Sequence, residues 1–288
     1  MAVSADLVKQ LREKTGAGMM DCKKALEETG GDFEKAVEFL RKKGAAVAAK
    51  RAERTTNEGL VVTRLSEDGK TAAIVEVNCE TDFVAKSDAF VELTQKIADV
   101  VFSNDFQNLD ELLNAKVNDL TVTDLINEAV GKIGEKIQVS RFKKVTIQNG
   151  AVVDYIHPGS KLGVLVIFEY SKPVPGEFRT FARDIAMQVA AMRPMTVTRD
   201  QVDKTLIEKE IEIYKTQARN EGKPEQVLEK IAQGKLEKFY QEVCLLEQPF
   251  VKDGSKSVGE LIKSYNEANS TDVRVKEFLR YHLADEKK

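Results

Sequence analysis

A stretch of this chain is repeated, with substitutions, 91 residues further on, and this repeat limits the possible folds more than any other feature. In the first copy, apolar runs at 59–65 and 71–78 flank a polar turn at 66–70, and Phe90 lies early in the helical pattern that follows. A hairpin followed by a packed helix, present twice, predicts an α+β fold with two similar halves, each with antiparallel strands and helices on one face. The matched pairs are Gly59/Gly150, Val61/Val152, Val62/Val153, Lys70/Lys161, Ala73/Val164, Ile74/Leu165, Val75/Val166 and Phe90/Phe181.

The segment ahead of the repeat predicts a separate helical module. Ser4 is positioned to cap a first helix, and glycine-containing breaks at 15–18 and 30–32 separate it from a second and a third. Three short helices enclose only a small core, which is typical of an adaptor module rather than a catalytic one. We therefore predict a three-helix N-terminal module at 1–44 and an exposed helical linker, rich in Ala, Lys and Arg, at 45–57.

The remaining pattern divides the core into subdomain 1 at 58–147 and subdomain 2 at 148–288. At about 198–243, two long charged helical patterns flank an Asn-Glu-Gly-Lys-Pro turn, which predicts a protruding antiparallel helical hairpin inserted in subdomain 2. Four further elements are predicted by their apolar spacing. They are helices at 125–133 and 258–265 and strands at 137–147 and 273–283.

The connection after the second strand carries a large aromatic residue with no evident core to fill. Asp82 and Phe83 lie in a polar stretch between the strand at 71–78 and Ser87, which can cap the next helix. At the same offset the second copy has Lys-Pro-Val at 172–174, so the fold itself does not require the Asp-Phe pair. An exposed phenyl ring loses hydrophobic stabilisation, and we therefore expect Phe83 to bury itself in another molecule.

Composition argues against several classes of protein. The net charge of −3 and the pI of about 5.7 lack the basic excess of a dedicated nucleic-acid binder. The basic residues at 42–54 have Glu53 among them and no aromatic residues, so we interpret this stretch as a solvated linker. No apolar run approaches the ~20 residues of a membrane span, and the first residues lack the apolar centre of a secretory signal.

Residue types that carry metal or acid–base chemistry are few or scattered. Cys22, Cys79 and Cys244 are odd in number and far apart, which favours reduced thiols and a cytoplasmic location over disulfides or a metal site. The two histidines, His157 and His282, lie in unrelated contexts, so no zinc site or Ser-His-Asp constellation can be assembled. We predict no catalytic residue, no metal site and no cofactor.

Two motifs and several shorter matches resemble one known family. Residues 15–26, Thr-Gly-Ala-Gly-Met-Met-Asp-Cys-Lys-Lys-Ala-Leu, and 77–86, Val-Asn-Cys-Glu-Thr-Asp-Phe-Val-Ala-Lys, resemble the two signatures of bacterial translation elongation factor Ts. Matches at 132–135, 155–166 and 248–251 extend the resemblance over nearly the whole chain. The resemblance implies a ubiquitin-associated-like N-terminal module, a core of two similar subdomains and a protruding helical hairpin.

The resemblance also implies a function, that of the guanine-nucleotide exchange factor for elongation factor Tu. Members of the family bind Tu·GDP, disturb its Mg²⁺ and phosphate site, and let GDP leave so that GTP can bind. The implied partners are Tu in its GDP-bound and nucleotide-free forms, with no direct nucleic acid and no membrane. No enzyme activity is implied, because no covalent bond is made or broken. Self-association is left open, since some relatives associate in pairs.

The implied contact residues fall on three parts of the chain. The segment at 81–84 matches the part that dislodges Mg²⁺, with Phe83 wedging between helices of the Tu nucleotide-binding domain beside Asp82. The N-terminal module touches the same Tu domain, and a loop of subdomain 2 faces another one. The residues concerned are Thr81, Asp82, Phe83 and Val84 in the first part, Met19 and Met20 in the second, and His157 in the third.

Each of these residues also has a plainer interpretation, and the function has two rivals. Met19 or Met20 could pack the module, His157 could be only a turn residue, and Phe83 could fill a core. An RNA-associated ribosome factor would bind RNA with a steep salt dependence, which the acidic pI disfavours. An enzyme with an unrecognised carboxylate site would turn over a substrate without Tu. Longer family members continue into a further helix, and we expect no contact from such an element here.

Overall fold

The computed structural model describes residues 3–285, so residues 1–2 and 286–288, at the outer ends of the first and last predicted domains, lie outside the described residues. Within them, eleven α-helices and ten strands confirm the predicted α+β class. The helices are α1 (Ala5–Thr15), α2 (Met19–Glu28), α3 (Phe33–Lys50), α4 (Asp82–Ala85), α5 (Asp88–Ser103), α6 (Leu109–Asn114), α7 (Val122–Ile133), α8 (Phe178–Met192), α9 (Lys204–Asn220), α10 (Glu225–Val243) and α11 (Val258–Asn269). The strands are β1 (Glu58–Leu65), β2 (Thr71–Cys79), β3 (Lys116–Val117), β4 (Leu120–Thr121), β5 (Gln138–Thr146), β6 (Gly150–Ile156), β7 (Leu162–Glu169), β8 (Pro249–Phe250), β9 (Asp253–Ser257) and β10 (Arg274–His282).

Two three-stranded antiparallel sheets form the centre of the molecule. The first has the strand order β1-β2-β5 and the second has the order β10-β7-β6. Gly59 of β1 faces Asn78 of β2, and Gly150 of β6 faces Glu169 of β7, so both registers agree with the offset of 91 residues. The two hairpins predicted from the repeat are therefore present, and each gains a third strand from later in the chain.

Apolar residues on both faces of each sheet produce four layers in the order helix, sheet, sheet, helix. The central strands are the most buried: β2 is buried apart from its first residue and β7 apart from its last. Helix α5 covers the outer face of the first sheet, α8 covers that of the second, and the inner faces pack against each other. The main side chains are Phe90, Ile97 and Val101 on α5, Phe178, Ile185 and Val189 on α8, and Val61, Ile74, Val152 and Leu165 between the sheets.

Hydrogen bonds between the two halves follow the same offset. The Val61 N–H donates to the Ser160 carbonyl, and the Val152 N–H donates to the Gly69 carbonyl, both over 2.7 Å. These bonds are equivalent, because each donor and each acceptor lies 91 residues from its counterpart. The Thr63 hydroxyl donates to the Asp154 carboxylate over 2.6 Å, and these two residues are themselves 91 positions apart. An approximate two-fold axis therefore relates the halves and passes close to this contact.

Helix α3 joins the N-terminal helices to subdomain 1 without a break. It continues through residue 44, where we predicted the module to end, and packs along α7. Two glycines permit a close approach: a Cβ at Gly44 would lie 2.6 Å from the Asn127 carbonyl oxygen, and one at Gly131 would lie 3.0 Å from the Gly44 Cα. Beyond Gly44, α3 also packs against the apolar core of subdomain 1. The domain boundaries themselves stay predictions.

Helices α9 and α10 lie antiparallel and form a helical hairpin between α8 and β10. Helix α9 begins later than the pattern at 198 indicated, because Thr198 caps a single 3-10 turn and Asp203 then accepts hydrogen bonds from the first N–H groups of α9. An ion pair of 2.6 Å between Arg219 and Glu225 spans the tip of the hairpin. The hairpin buries Leu228, Ala232 and Leu236 of α10.

The close pairing of β6 with β7 depends on a glycine. Gly150 has a φ of 145°, and a Cβ at this position would overlap the Phe168 carbonyl oxygen. We expect Gly150→Ala to lower the free energy of unfolding by about 2–4 kcal/mol, because the conformation strongly favours glycine and the overlap is with backbone. Urea denaturation of the two proteins measures the difference.

Gly176→Ala is the matched control for this substitution. No atom lies within 4 Å of a Cβ at Gly176 and its φ is not positive, so we expect a change of at most about 0.5 kcal/mol. Gly59→Ala repeats the test in the first half, since Gly59 has a φ of 148° and its Cβ would overlap the Val77 carbonyl oxygen. Unchanged stability of Gly150→Ala would contradict the close approach of β6 and β7.

Candidate partner-binding site

The segment at 81–84 forms a single exposed helical turn at the end of β2. Thr81 caps α4 by accepting the Val84 N–H at its hydroxyl oxygen over 3.4 Å. Ser87 then caps α5, as predicted, by accepting the Phe90 N–H over 3.4 Å. Between these two caps the chain makes one turn of helix that is too short to be stable without support from its surroundings.

This turn has one face on the protein and one face in solvent. Ala85 is buried and Val84 packs against the core of subdomain 1. Phe83 points the other way, and 82% of its surface is exposed. The interpretation of Phe83 as a core residue is therefore excluded. A phenyl ring on the solvent face of a supported turn is typical of a contact with a partner.

The Glu135 carboxylate holds the start of this turn. It accepts the backbone N–H groups of Glu80 and Thr81 over 3.1 and 3.0 Å and the Thr81 hydroxyl over 2.7 Å. Gly134 makes this possible, because its φ of 83° ends α7 and directs the chain back toward β2. Glu135 belongs to the match at 132–135, but the sequence alone did not indicate that it contacts residues 80 and 81.

Glu80 makes the reciprocal contact. Its carboxylate accepts the Lys136 N–H over 2.6 Å and pairs with Arg54 over 3.0 Å and Arg51 over 3.5 Å. Partial burial opposes ionisation of this group, but the hydrogen bond from Lys136 and the neighbouring Arg54 hold the pKa of Glu80 below its usual value. Each segment thus supplies a carboxylate to the backbone of the other, and the two arginines join the end of α3 to the same cluster.

Asp82 lies beside Phe83 and is ionised. Lys86, one turn further along, donates a hydrogen bond to the Asp82 carboxylate over 2.8 Å. This contact lowers the pKa of Asp82 below its ordinary value. The side chain is exposed enough that the pair adds little to stability, since surface ion pairs contribute little. Asp82 therefore presents a negative charge next to the exposed ring.

Met19 and Met20 occupy the first turn of α2. They are 57% and 73% exposed, whereas Cys22, Ala25 and Leu26 on the same helix fill the core of the module. Neither methionine packs the module, so that plainer interpretation is wrong. The helix lacks a side-chain cap because Gly18 precedes it. The two exposed thioether side chains therefore give the N-terminal module an apolar surface that a partner can reach.

His157 lies in the exposed turn between β6 and β7. Its N–H donates to the Leu162 carbonyl, its carbonyl accepts the Ser160 N–H, both over 2.9 Å, and its Nδ1 lies 2.9 Å from the Tyr155 hydroxyl oxygen. Ser66 makes the equivalent backbone bonds in the first half. His157 is thus a turn residue whose ring is also available at the surface.

The structure brings the turn containing His157 and α4 to the same end of the sheets. Lys161, which ends that turn, forms an ion pair of 2.5 Å with Glu58. Glu58 is the first residue of β1 and faces Cys79, two residues before the cap of α4. Met19 and Met20 lie on α2 among the N-terminal helices, which α3 connects to the Glu80 cluster. The sequence-predicted residues therefore form two neighbouring patches and a third one on the module.

Residues 3–285 contain neither a metal-binding cluster nor a membrane-spanning helix. No group of three or more His, Cys, Asp or Glu residues in this range is arranged to hold a metal ion. None of the helices described there is both long and apolar enough to cross a membrane.

The three thiols provide a test of the packing beneath the site. Cys79 lies under the turn and donates to the Thr81 carbonyl over 3.2 Å, and burial, with Glu135 nearby, raises its pKa to about 12. Burial also raises the pKa of Cys22 and of Cys244. Because the thiolate is the reactive form, we expect all three to resist Ellman's reagent in mildly alkaline buffer and to react after unfolding in urea. Rapid reaction of any thiol in the folded protein would contradict this packing.

Comparison with known proteins agrees with the sequence motifs. A family model described as Elongation factor TS matches residues 80–285. Elongation factor Ts of Chlorobaculum tepidum is 47% identical over 98% of each chain, and that of Prosthecochloris aestuarii is 48% identical over 98% of each. Elongation factor Ts of Clostridium perfringens is 45% identical over 98% of this chain and 93% of its own. The chain belongs to the elongation factor Ts family.

Proposed function

We propose that this protein is the guanine-nucleotide exchange factor for elongation factor Tu in the cytoplasm. It binds Tu·GDP, disturbs the Mg²⁺ and phosphate site, and promotes GDP release so that GTP can bind during translation elongation. Family membership supports the general role. The observation that carries the detailed proposal is Phe83, a large apolar ring that is 82% exposed on a turn held by several hydrogen bonds.

A ring held in this way is suited to insertion into a partner. Aromatic side chains that fill a pocket dominate the binding energy of many interfaces. The supports from Thr81 and Glu135 order the turn before binding, so little conformational entropy remains to be lost in the complex. In the proposed complex Phe83 enters between helices of the Tu nucleotide-binding domain, where its apolar surface is removed from water.

The chemical consequence of this insertion is the loss of Mg²⁺ coordination. Mg²⁺ requires nearly octahedral geometry and neutralises the phosphates of bound GDP. Displacement of the helices that carry its ligands weakens that coordination and therefore the binding of GDP. Residues 81–84 produce the displacement, and the negative charge of Asp82 lies beside the ring. No bond is made or broken, so the protein acts by binding rather than as an enzyme. By linkage, GDP must weaken factor binding by the same ratio.

Two other surfaces extend the proposed contact. Met19 and Met20 present flexible thioethers that can adapt to the Tu nucleotide-binding domain. His157 presents an exposed ring to a second Tu domain from the same end of the sheets as α4. Because these contacts do not depend on the nucleotide site, they favour binding of Tu in both its GDP-bound and nucleotide-free forms. Direct binding of nucleic acid is not part of the proposal, given the net charge of −3.

Release of fluorescent GDP from Tu tests the role of Phe83. We expect Phe83→Ala to reduce the factor-stimulated release rate by about tenfold or more, because truncation of a central aromatic contact removes its binding energy in the complex. The rate is measured by stopped-flow mixing of the loaded Tu with factor and excess unlabelled GDP.

Met192→Ala is the control for loss of an exposed apolar side chain. Met192 is 43% exposed and ends α8 in subdomain 2. We expect this variant to stimulate release like the wild type. Equal release by Phe83→Ala and the wild type would exclude the wedge role, and failure of the wild type to accelerate release would exclude the exchange function.

A further inference from the structure

In both halves of the core, a carboxylate from a later segment holds the connection that follows the central strand. In the first half the Glu135 carboxylate accepts the N–H groups of residues 80 and 81. In the second half the Asp272 carboxylate accepts the N–H groups of residues 171 and 172 over 2.9 and 3.0 Å. The two pairs of donors are 91 residues apart, and each carboxylate lies just ahead of the third strand of its sheet. The carboxylate contact is therefore a repeated feature of the fold.

What the contact supports differs between the halves. In the second half the following residues, Lys172 and Pro173, lead into Val174, which packs against the core of subdomain 2. That connection has no helical turn and no exposed aromatic ring. In the first half the contact is followed directly by α4, Asp82 and the exposed Phe83. The second half therefore shows this carboxylate contact in a purely structural role.

We propose that Glu135 is a positioning residue for nucleotide exchange, fixing α4 so that Phe83 and Asp82 are presented in one orientation to Tu. This inference rests on the function proposed above. Glu135 does not itself touch Tu or the nucleotide in this scheme. It acts through Thr81, whose hydroxyl donates to Glu135 over 2.7 Å and whose oxygen also caps α4 at Val84.

The geometry makes this coupling strong. Three donors converge on one carboxylate, and hydrogen bonds to an ionised group are stronger than those between neutral groups. The reciprocal bond from the Lys136 N–H to Glu80, at 2.6 Å, closes the pair from the other side. Helix α4 has only four residues, so it has little intrinsic stability and its orientation depends on these contacts. Because the Phe83 ring lies in solvent, its own contacts do little to fix the orientation of α4.

The test uses Glu135→Ala and Asp272→Ala in the full-length protein. Both remove a carboxylate that holds the same two N–H positions of the repeat, so they are matched in structural damage. We expect Glu135→Ala to reduce the maximal rate of stimulated GDP release by about tenfold or more, and Asp272→Ala to leave it near the wild-type rate. The factor concentration for half-maximal release should change less, because Met19, Met20 and His157 still bind Tu.

A double-mutant cycle separates positioning from general destabilisation. If Glu135 acts through the turn that carries Phe83, then Glu135→Ala adds almost nothing in a Phe83→Ala background. Independent, multiplicative effects would overturn the proposal. Urea denaturation of all variants establishes that each is folded during the assay. If Glu135→Ala does not fold, Glu135→Gln replaces it; its amide oxygen can still accept the two N–H groups but its NH2 group cannot accept the Thr81 hydroxyl, so a smaller loss with the same selectivity is expected.

The outcomes distinguish this inference from the proposed function. If Phe83→Ala is impaired while folded Glu135→Ala stimulates release like the wild type, the positioning role is wrong and the wedge role stands. If Asp272→Ala is impaired as much as Glu135→Ala, the contact is only structural and the positioning role is again wrong. If Phe83→Ala itself is unimpaired, it is the wedge role in the proposed function that fails.

Discussion

The apolar layer between the two sheets is the contact on which the rest of this structure depends. Val61 and Ile74 from the first half meet Val152 and Leu165 from the second, and these residues are equivalent pairs of the repeat. Because both inner faces are buried in one layer, neither half can lose the other without exposing its central strand to water. The helices on the outer faces complete burial of β2 and β7. The core is therefore one cooperative unit built from two copies of a single motif.

Because the buried layer holds the two sheets together, the loops at the ends of the sheets can differ between the two halves without changing the core. The hairpin turns are held by equivalent backbone bonds from Val61 and Val152, so their surfaces can change without altering the path of the chain. The connections after β2 and β7 start from equivalent carboxylate contacts and then diverge into an exposed turn and a packed loop. Duplication thus supplied a second copy of the scaffold, and only the first carries Phe83.

Local signals in the sequence predicted much of this arrangement, but they could not predict the contacts between distant segments. Alternating and continuous apolar runs indicated the strands, and Ser87 indicated the start of α5, because strand burial and helix caps depend on neighbouring residues. The absence of an equivalent of Phe83 in the second copy predicted that its ring is exposed. The contact of Glu135 with Thr81 spans 54 positions, and no local pattern encodes it. The start of α9 at Lys204 was also missed, since a helical pattern does not distinguish a 3-10 turn from the helix that follows it.

The contact between Gly44 and Gly131 fixes where α3 packs on α7, and with it the position of the N-terminal helices. Helix α2 runs back along α3 toward this contact, and an ion pair of 2.5 Å joins Asp21, in the α2 turn that carries Met19 and Met20, to Lys43 beside Gly44. Because backbone atoms form the contact between the two glycines, no side chain can move aside to make room for a larger residue. An added methyl group at Gly44 would have to push α3 away from α7, and the N-terminal helices would move with α3. The position of the methionine surface relative to subdomain 1 is thus set in part by how closely two helix backbones approach, a distance that glycine permits.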